Sequence, residues 1–205
     1  MNTIAIVDYG MGKLHSVLKK FRRIGAEPIV ISRPEQTASA DKFVLPGVGH
    51  FEQAMRNLEG SGLRTPLEEA VLGRGIPILG ICLGMQLLAR HSEEGDSKGL
   101  GWLDAEVVRF RVTDPIRFKV PQMGWNTMAL RKESGLTHGL PDDAEFYFAH
   151  AYHLVCRNPT DVVGETEYCY PFPSAVQRDH IYGVQFHPEK SHGVGEMMLR
   201  NFVGL

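Results

Sequence analysis

Two short motifs in this chain combine residue types that act together in covalent catalysis. Cys82 lies between Gly80 and Gly84, in a motif that follows the apolar residues 76–79 and precedes an apolar pattern with helical spacing. A strand that turns sharply into a helix, with glycines on both sides of a nucleophile, is a nucleophile elbow that exposes the reactive side chain. The glycine spacing therefore predicts that Cys82 is a nucleophile.

The second motif, His187-Pro188-Glu189, contains the groups that a cysteine nucleophile needs. A base must generate the thiolate, and a carboxylate must orient that base. We expect His187 and Glu189, two residues apart on one face of a strand end, to fill these roles. The other histidines, His150 included, are expected to be structural. Cys82, His187 and Glu189 together predict a Cys-His-Glu site for acyl transfer.

The loop Leu45-Pro46-Gly47-Val48-Gly49 follows a predicted strand and is the third candidate feature. Two glycines around one residue allow backbone N–H groups to turn toward a developing oxyanion. We predict that Val48 and Gly49 supply such donors together with the N–H of Leu83. A plain turn after a strand is the alternative, and the G-x-G-x-x-G pattern of dinucleotide sites does not occur in the sequence.

Length, composition and charge restrict the class of protein. The chain has 205 residues, 43% hydrophobic and 22% charged, which suits one globular domain spanning residues 1–205. A net charge of -2 gives no reason to expect nucleic acid or an anionic membrane as a partner. No apolar stretch approaches the ~20 residues that span a bilayer. Three cysteines without CxxC spacing argue against a disulfide scaffold or a zinc ribbon, and with the absence of a leader pattern they predict a cytoplasmic protein.

The order of predicted elements indicates an α/β protein. The first half alternates short apolar strands, such as residues 4–7 and 43–45, with amphipathic helices, which predicts a doubly wound, mostly parallel sheet with flanking helices. The second half has shorter strands separated by turn residues, which indicates an appended antiparallel region. Residues 181–186 are expected to form the strand that delivers His187, and a last helix is expected through Phe202.

The motifs around Cys82 and His187 resemble those of the class I (triad) glutamine amidotransferases. Further matches at residues 8–12, 45–49, 121–126 and 147–150 make the whole chain similar to one subfamily, the glutaminase subunits of imidazole glycerol phosphate synthases. The resemblance implies that Cys82 attacks the side-chain amide of glutamine, that His187 shuttles a proton and that Glu189 orients His187. It further implies glutamine contacts, which involve Gln86, Glu94 and the backbone of Ala151 and Tyr152. No metal or organic cofactor is implied.

The resemblance also implies a partner. In this subfamily a (β/α)8-barrel subunit completes a heterodimer and uses the ammonia to make imidazole glycerol phosphate and an aminoimidazole carboxamide ribotide (AICAR) in histidine biosynthesis. Trp125 and Lys190 match positions that face the barrel. Lys13 and Gln122 stand in partner-facing motifs where asparagine and histidine are usual, and Ala151 replaces a more usual serine or threonine.

Three alternatives remain open from the sequence. A paralogous subunit could supply ammonia to a synthase that amidates sugars of surface glycans, and the departures at Lys13, Gln122 and Ala151 are compatible with it. A catalytically idle binding subunit is a second alternative, which the intact triad disfavours. A cysteine peptidase or amidase with the same fold is the third, and Gln86 together with the His-Pro-Glu motif favours glutamine as substrate instead.

Overall fold

The structure is a computed structural model that describes residues 3–12 and 14–205; Lys13, a predicted interface residue, lies outside the described residues. Its strands, numbered in chain order, are β1 Ile4–Val7, β2 Pro28–Ile31, β3 Lys42–Gly47, β4 Ile78–Cys82, β5 His91–Ser92, β6 Ser97–Lys98, β7 Ala105–Arg109, β8 Gln122–Thr127, β9 Ala129–Leu130, β10 Glu145–His150, β11 Tyr152–Cys156, β12 Val162–Glu167, β13 Pro171–Arg178 and β14 Ile181–Val184. Its α-helices are α1 Leu14–Arg23, α2 Phe51–Gly60, α3 Arg64–Glu68, α4 Leu83–Leu87 and α5 His192–Gly204.

The largest sheet has eight strands in the order β2-β1-β3-β4-β14-β13-β12-β9. The first five are parallel to one another, and β13, β12 and β9 continue the sheet in antiparallel fashion. The strands β1, β3, β4 and β14 are buried along their whole length, as expected for apolar strands covered on both faces. The predicted α/β fold with an appended antiparallel region is confirmed.

The carboxyl ends of the central parallel strands bring the candidate residues to one edge of the sheet. Gly47 at the end of β3 is in register with Cys82 at the end of β4. Val184, the last residue of β14, is in register with Ile81, and His187 follows three residues later. The predicted strand to Phe186 is two residues too long, because Gln185 and Phe186 already leave the sheet.

Two smaller sheets cover this edge. β8 and β10 form an antiparallel pair, and β11, β7, β5 and β6 form a four-stranded sheet. β10 reaches the large core through Phe146, whose ring stacks on that of Phe186 with centroids 3.9 Å apart. The chain passes from β10 to β11 at Ala151, so residues near this corner lie beside the elbow. Within the described residues, no helix is both long and apolar enough to cross a bilayer.

Candidate active site

The turn at Cys82 has the strained backbone of an elbow. Cys82 adopts φ 54° and ψ −111°, a conformation that residues with a Cβ rarely adopt. A Cβ on Gly84 would lie 1.7 Å from the carbonyl oxygen of Leu45, and one on Gly80 would lie 2.7 Å from that of Gly84. The turn is therefore possible only because both flanking positions are glycine. The helix that follows, α4, is only five residues long, so its free N–H groups rather than a long helix dipole act on the thiol.

His187 and Glu189 form a buried pair beside the thiol. The Nδ1 atom of His187 lies 2.8 Å from Oε1 of Glu189, and their side chains are only 4% and 5% exposed. Burial lowers the pKa of His187, but hydrogen bonds to Cys82 and Glu189 and the negative charges of both outweigh it and raise the pKa to about 9. At neutral pH the ring of His187 is therefore protonated, and it holds a proton beside the sulfur of Cys82.

The residue spacing predicts that His187 and Glu189 lie on one face of a strand end, and this prediction is wrong. Pro188–Lys190 forms a single 3-10 turn, which folds the Glu189 carboxylate back onto the ring of His187. The N–H of His187 donates to the carbonyl oxygen of Tyr147 at 2.9 Å, and the Ser191 hydroxyl donates to the carbonyl oxygen of His187 at 2.6 Å. These bonds fix the backbone of the motif against β10.

Gln185 is a site residue that the sequence motifs do not single out. Its Nε2 lies 3.7 Å from the sulfur of Cys82, to which it donates, and its Oε1 accepts from Nε2 of Gln86 at 3.0 Å. The side chain is fully buried. A polar residue at the end of a buried apolar strand, two residues before the base, is the signal that could have identified it.

The expected oxyanion donors are arranged unequally. Leu83 is the first residue of α4, so its N–H has no carbonyl acceptor within that helix. The N–H of Val48 instead donates to the carbonyl oxygen of Met11 at 3.3 Å, so in this conformation it is not directed at a ligand on Cys82. Gly49 has φ 115°, which only glycine adopts without strain. The roles of Leu83, Val48 and Gly49 stay predictions.

A cavity of about 200 Å³ opens beside the thiol, with room for one amino acid. Its wall contains Cys82 and all the residues predicted to bind substrate or oxyanion, namely Val48, Gly49, Leu83, Gln86, Glu94, Ala151 and Tyr152. Both N–H groups of the Gln86 amide are used, one by Gln185 and one by the carbonyl oxygen of Tyr152 at 3.0 Å. Glu94 is half-buried, and its Oε2 accepts from the N–H of Phe51 at the start of α2 at 2.8 Å.

His150 forms part of the same cavity wall, although its predicted role is structural. Burial lowers its pKa to about 3, so the ring is neutral at pH 7. Nδ1 donates to the carbonyl oxygen of Tyr152 at 2.7 Å, and the side-chain amide of Gln122 lies 3.1 Å from Nε2. Gln122 is 3% exposed, because alternation along β8 turns its side chain inward. In this chain Gln122 supports His150, and its contact with a partner stays a prediction.

The other two candidate interface residues lie on the surface next to the triad. Trp125 is 45% exposed, which excludes a core position, and its ring stacks on His192 with centroids 4.9 Å apart. The exposed Lys190 places its Nζ over the ring of Tyr147 at 5.6 Å. Tyr147 also contacts Trp125 edge to face and binds the His187 N–H through its carbonyl group. An aromatic surface thus adjoins the triad directly.

A larger surface pocket of about 690 Å³ lies between α2 and β5–β6, but its arginines pair with carboxylates such as Glu52, Glu59 and Glu106. Across residues 3–12 and 14–205, no group of three or more His, Cys, Asp or Glu side chains is placed to hold a metal ion. The chemistry that the described residues support is nucleophilic attack by Cys82 with His187 as acid and base.

Comparisons with known proteins agree with this chemistry. The model of the family "Glutamine amidotransferase class-I" matches residues 5–204. The chain is 44% identical over 98% of both chains to the imidazole glycerol phosphate synthase subunit HisH 2 of Methanococcus maripaludis. It is 42% identical to the subunit HisH 2 of Pseudomonas aeruginosa, covering 98% of this chain and 99% of the relative. It is 43% identical to the subunit HisH of Neisseria meningitidis, with 97% and 98% covered.

Solved structures share the fold at low sequence identity. A glutamine amidotransferase from Thermotoga maritima superposes with a TM-score of 0.65 at 18% identity, covering 99% of this chain and 83% of that one. A chain of PurLQS from the same organism superposes with a TM-score of 0.76 at 15% identity, covering 100% and 99%. With the family model matched over almost the whole length, the chain belongs to the class-I glutamine amidotransferase family.

Proposed function

We propose that this chain is the glutaminase subunit of an imidazole glycerol phosphate synthase, which hydrolyses glutamine and passes the ammonia to a partner subunit. The observation that carries the proposal is identity of 42–44% over nearly the full length to relatives that bear that subunit name. The cavity beside Cys82, with its buried base and carboxylate, supports the same activity.

The proposed reaction begins with the thiolate of Cys82 attacking the side-chain amide carbon of glutamine. The carbonyl oxygen becomes an oxyanion, which the N–H of Leu83 stabilises. His187 gives its proton to the amide nitrogen, the C–N bond breaks, and ammonia departs. The γ-glutamyl group stays on Cys82 as a thioester. His187 then takes a proton from water, which attacks the thioester to release glutamate and the thiol. Glu189 holds the ring of His187 throughout.

The amino-acid end of glutamine is proposed to bind at the far side of the cavity. The two N–H groups of Gln86 are occupied, so its Oε1 is the atom available to accept from the α-amino group of the substrate. Glu94 contributes a carboxylate to the same wall, held in place by the first N–H of α2. Ala151 and Tyr152 are proposed to contribute backbone contacts at the corner between β10 and β11.

The proposed partner is a (β/α)8-barrel subunit that forms a heterodimer with this chain. The aromatic surface of Trp125 and Tyr147 with Lys190 adjoins the triad, so a partner docked there would cover the point at which ammonia is released. Lys13 is proposed to face the same partner. Residues 1–205 are proposed to act as a single amidotransferase domain in the cytoplasm, as expected for an enzyme of amino-acid biosynthesis.

The acceptor reaction separates this proposal from its alternative, a subunit that supplies ammonia to a synthase amidating surface sugars. The comparisons do not favour the alternative, because the relatives above are named as subunits of imidazole glycerol phosphate synthase. Deleting the gene should cause a requirement for histidine that added histidine relieves. Growth without histidine, accompanied by altered surface sugars, would select the alternative. Glutamate release by the assembled complex would distinguish both from an idle binding subunit.

A further inference from the structure

Tyr9 is a buried polar residue that the mechanism above leaves without a role. It follows β1 at the edge of the sheet that carries Gly47 and Cys82, and its residue surface is only 4% exposed. Its hydroxyl has no hydrogen-bond partner among the described residues. A buried hydroxyl without a partner is unfavourable, since it has lost its bonds to water and gained none in return. Burial, and secondarily the negative charge of Cys82, raise the pKa of Tyr9 far above its ordinary value, so the group keeps its proton.

The Tyr9 hydroxyl lies directly against the loop expected to bind the oxyanion. A Cβ added to Gly47 would lie only 2.3 Å from the Tyr9 oxygen and 3.1 Å from Cβ of Leu83. The hydroxyl thus occupies the space that a side chain at position 47 would need. It is in contact with the Cα of Gly47, the residue whose carbonyl group belongs to the Gly47–Val48 peptide.

That same peptide is turned away from the nucleophile. The N–H of Val48 donates to the Met11 carbonyl oxygen at 3.3 Å, at the long end of hydrogen-bond distances. In a trans peptide the N–H and C=O point in opposite directions. Rotation that turns the Val48 N–H away from Met11 therefore turns the Gly47 oxygen toward the Met11 carbonyl oxygen, which repels it. A hydrogen-bond donor is then needed close to Gly47, and the unpartnered Tyr9 hydroxyl lies beside the Cα of that residue.

We propose that Tyr9 is a positioning residue for the oxyanion site: its hydroxyl donates to the carbonyl oxygen of Gly47 when the Gly47–Val48 peptide presents its N–H to the tetrahedral intermediate. The proposal rests on the glutaminase function proposed above. In the conformation described here, which we call resting, the Tyr9 hydroxyl has no partner and the Val48 N–H points away from Cys82, and the proposal explains both observations. Each becomes paired in the catalytic conformation, Tyr9 with Gly47 and Val48 with the oxyanion.

The test compares Tyr9→Phe with Tyr182→Phe in the chain assembled with its barrel partner. Tyr182 is the control, because it is also a buried tyrosine, but its ring packs beside Phe202 and its hydroxyl accepts a hydrogen bond from Gln177, away from the cavity. Four quantities are measured: kcat and KM for glutamate release, inhibition by glutamate γ-semialdehyde, and the melting temperature of the free chain. The aldehyde adds to Cys82 as a tetrahedral hemithioacetal and so depends on the oxyanion donors, whereas glutamine binding does not.

Tyr9→Phe should lower kcat by about tenfold, the worth of one hydrogen bond, with KM unchanged. Inhibition by the aldehyde should weaken by a similar factor, and the melting temperature should stay equal or rise, because no bond is lost in the resting conformation. Tyr182→Phe should leave kcat and aldehyde inhibition unchanged.

Two results would overturn the assignment. One is unchanged kcat and aldehyde inhibition in Tyr9→Phe while the wild-type complex is active. The other is a joint loss of melting temperature and kcat with intact aldehyde inhibition, which would make the hydroxyl merely structural. If the wild-type complex itself releases no glutamate, the proposed glutaminase function fails, and the role of Tyr9 fails with it.

Discussion

The backbone nitrogen of Val48 donates a hydrogen bond to the carbonyl oxygen of Met11, 3.3 Å away. While this bond is made, the Val48 N–H cannot act as the oxyanion donor that we propose for it. The isolated chain should therefore hydrolyse glutamine about 10²–10³-fold more slowly than the chain bound to its partner and the acceptor ligand, the rate effect of one oxyanion donor. Steady-state glutamate release with and without the partner measures this ratio. Equal turnover in both would show that the loop is not a switch.

The raised pKa of His187 predicts a pH dependence of stability. In the unfolded chain a histidine loses its proton near ~6.5, whereas in the folded chain His187 holds its proton to about 9. Its contribution to the free energy of unfolding is therefore fully present below ~6.5 and is lost as the pH rises through about 9. The melting temperature of the wild type should fall over this window.

His187→Gln is the control for this measurement, because it keeps the other eight of nine histidines and removes only the coupled base. Its melting temperature should depend less on pH between ~6.5 and ~9 than that of the wild type. For each kcal/mol that protonated His187 contributes to the free energy of unfolding, the melting temperatures of the two proteins should differ by roughly 2–4 °C in a chain of this size. Parallel curves for the two proteins would contradict the raised pKa.

The elbow predicts opposite outcomes for two glycines that both lie in helices. In Gly84→Ala the new Cβ would meet the Leu45 carbonyl oxygen at 1.7 Å, so β3 or the elbow must move. We expect a loss of at least ~1–3 kcal/mol in the free energy of unfolding, and of glutaminase activity. In Gly193→Ala the Cβ meets nothing within 4 Å, and the change should be neutral or stabilising by up to ~1 kcal/mol. Urea denaturation and glutamate release test both. A Gly84→Ala protein as stable and active as Gly193→Ala would refute the geometry of the elbow.

Trp125 should be an anchor of the partner interface. Its half-exposed ring is held by stacking on His192, and buried tryptophans are frequent interface hot spots. Trp125→Ala should weaken binding to the barrel subunit by ~2 kcal/mol or more, as measured by titration.

Leu72→Ala is the matched control for that titration. Leu72 is 49% exposed, close to the 45% of Trp125, but it precedes β4 and so lies toward the opposite edge of the sheet from Cys82. Its removal should leave the dissociation constant unchanged. An equal effect of both substitutions, or none of either, would remove Trp125 from the proposed interface.

The sequence allowed prediction of what depends on local signals. Apolar runs with glycine ends identified β1, β3 and β4, and the glycines around Cys82 identified the elbow, because these features need only neighbouring residues. The direction of the Val48 N–H and the donation from Gln185 to Cys82 depend on contacts between distant segments, which spacing does not specify. The inward direction of the Gln122 side chain could not be predicted for a related reason, because a motif match does not specify which face of β8 a side chain occupies.

Replacement of the nucleophile tests the central claim most directly. In the assembled complex, Cys82→Ala should abolish glutamine-dependent synthesis by the partner while synthesis from added ammonium salt continues at the wild-type rate, because only the glutamine route passes through the thioester. Both rates are measured on one preparation, so the ammonium reaction proves that the complex is intact. Glutaminase turnover above ~1% of wild type in Cys82→Ala, well beyond what remains after a nucleophile is removed, would contradict the account.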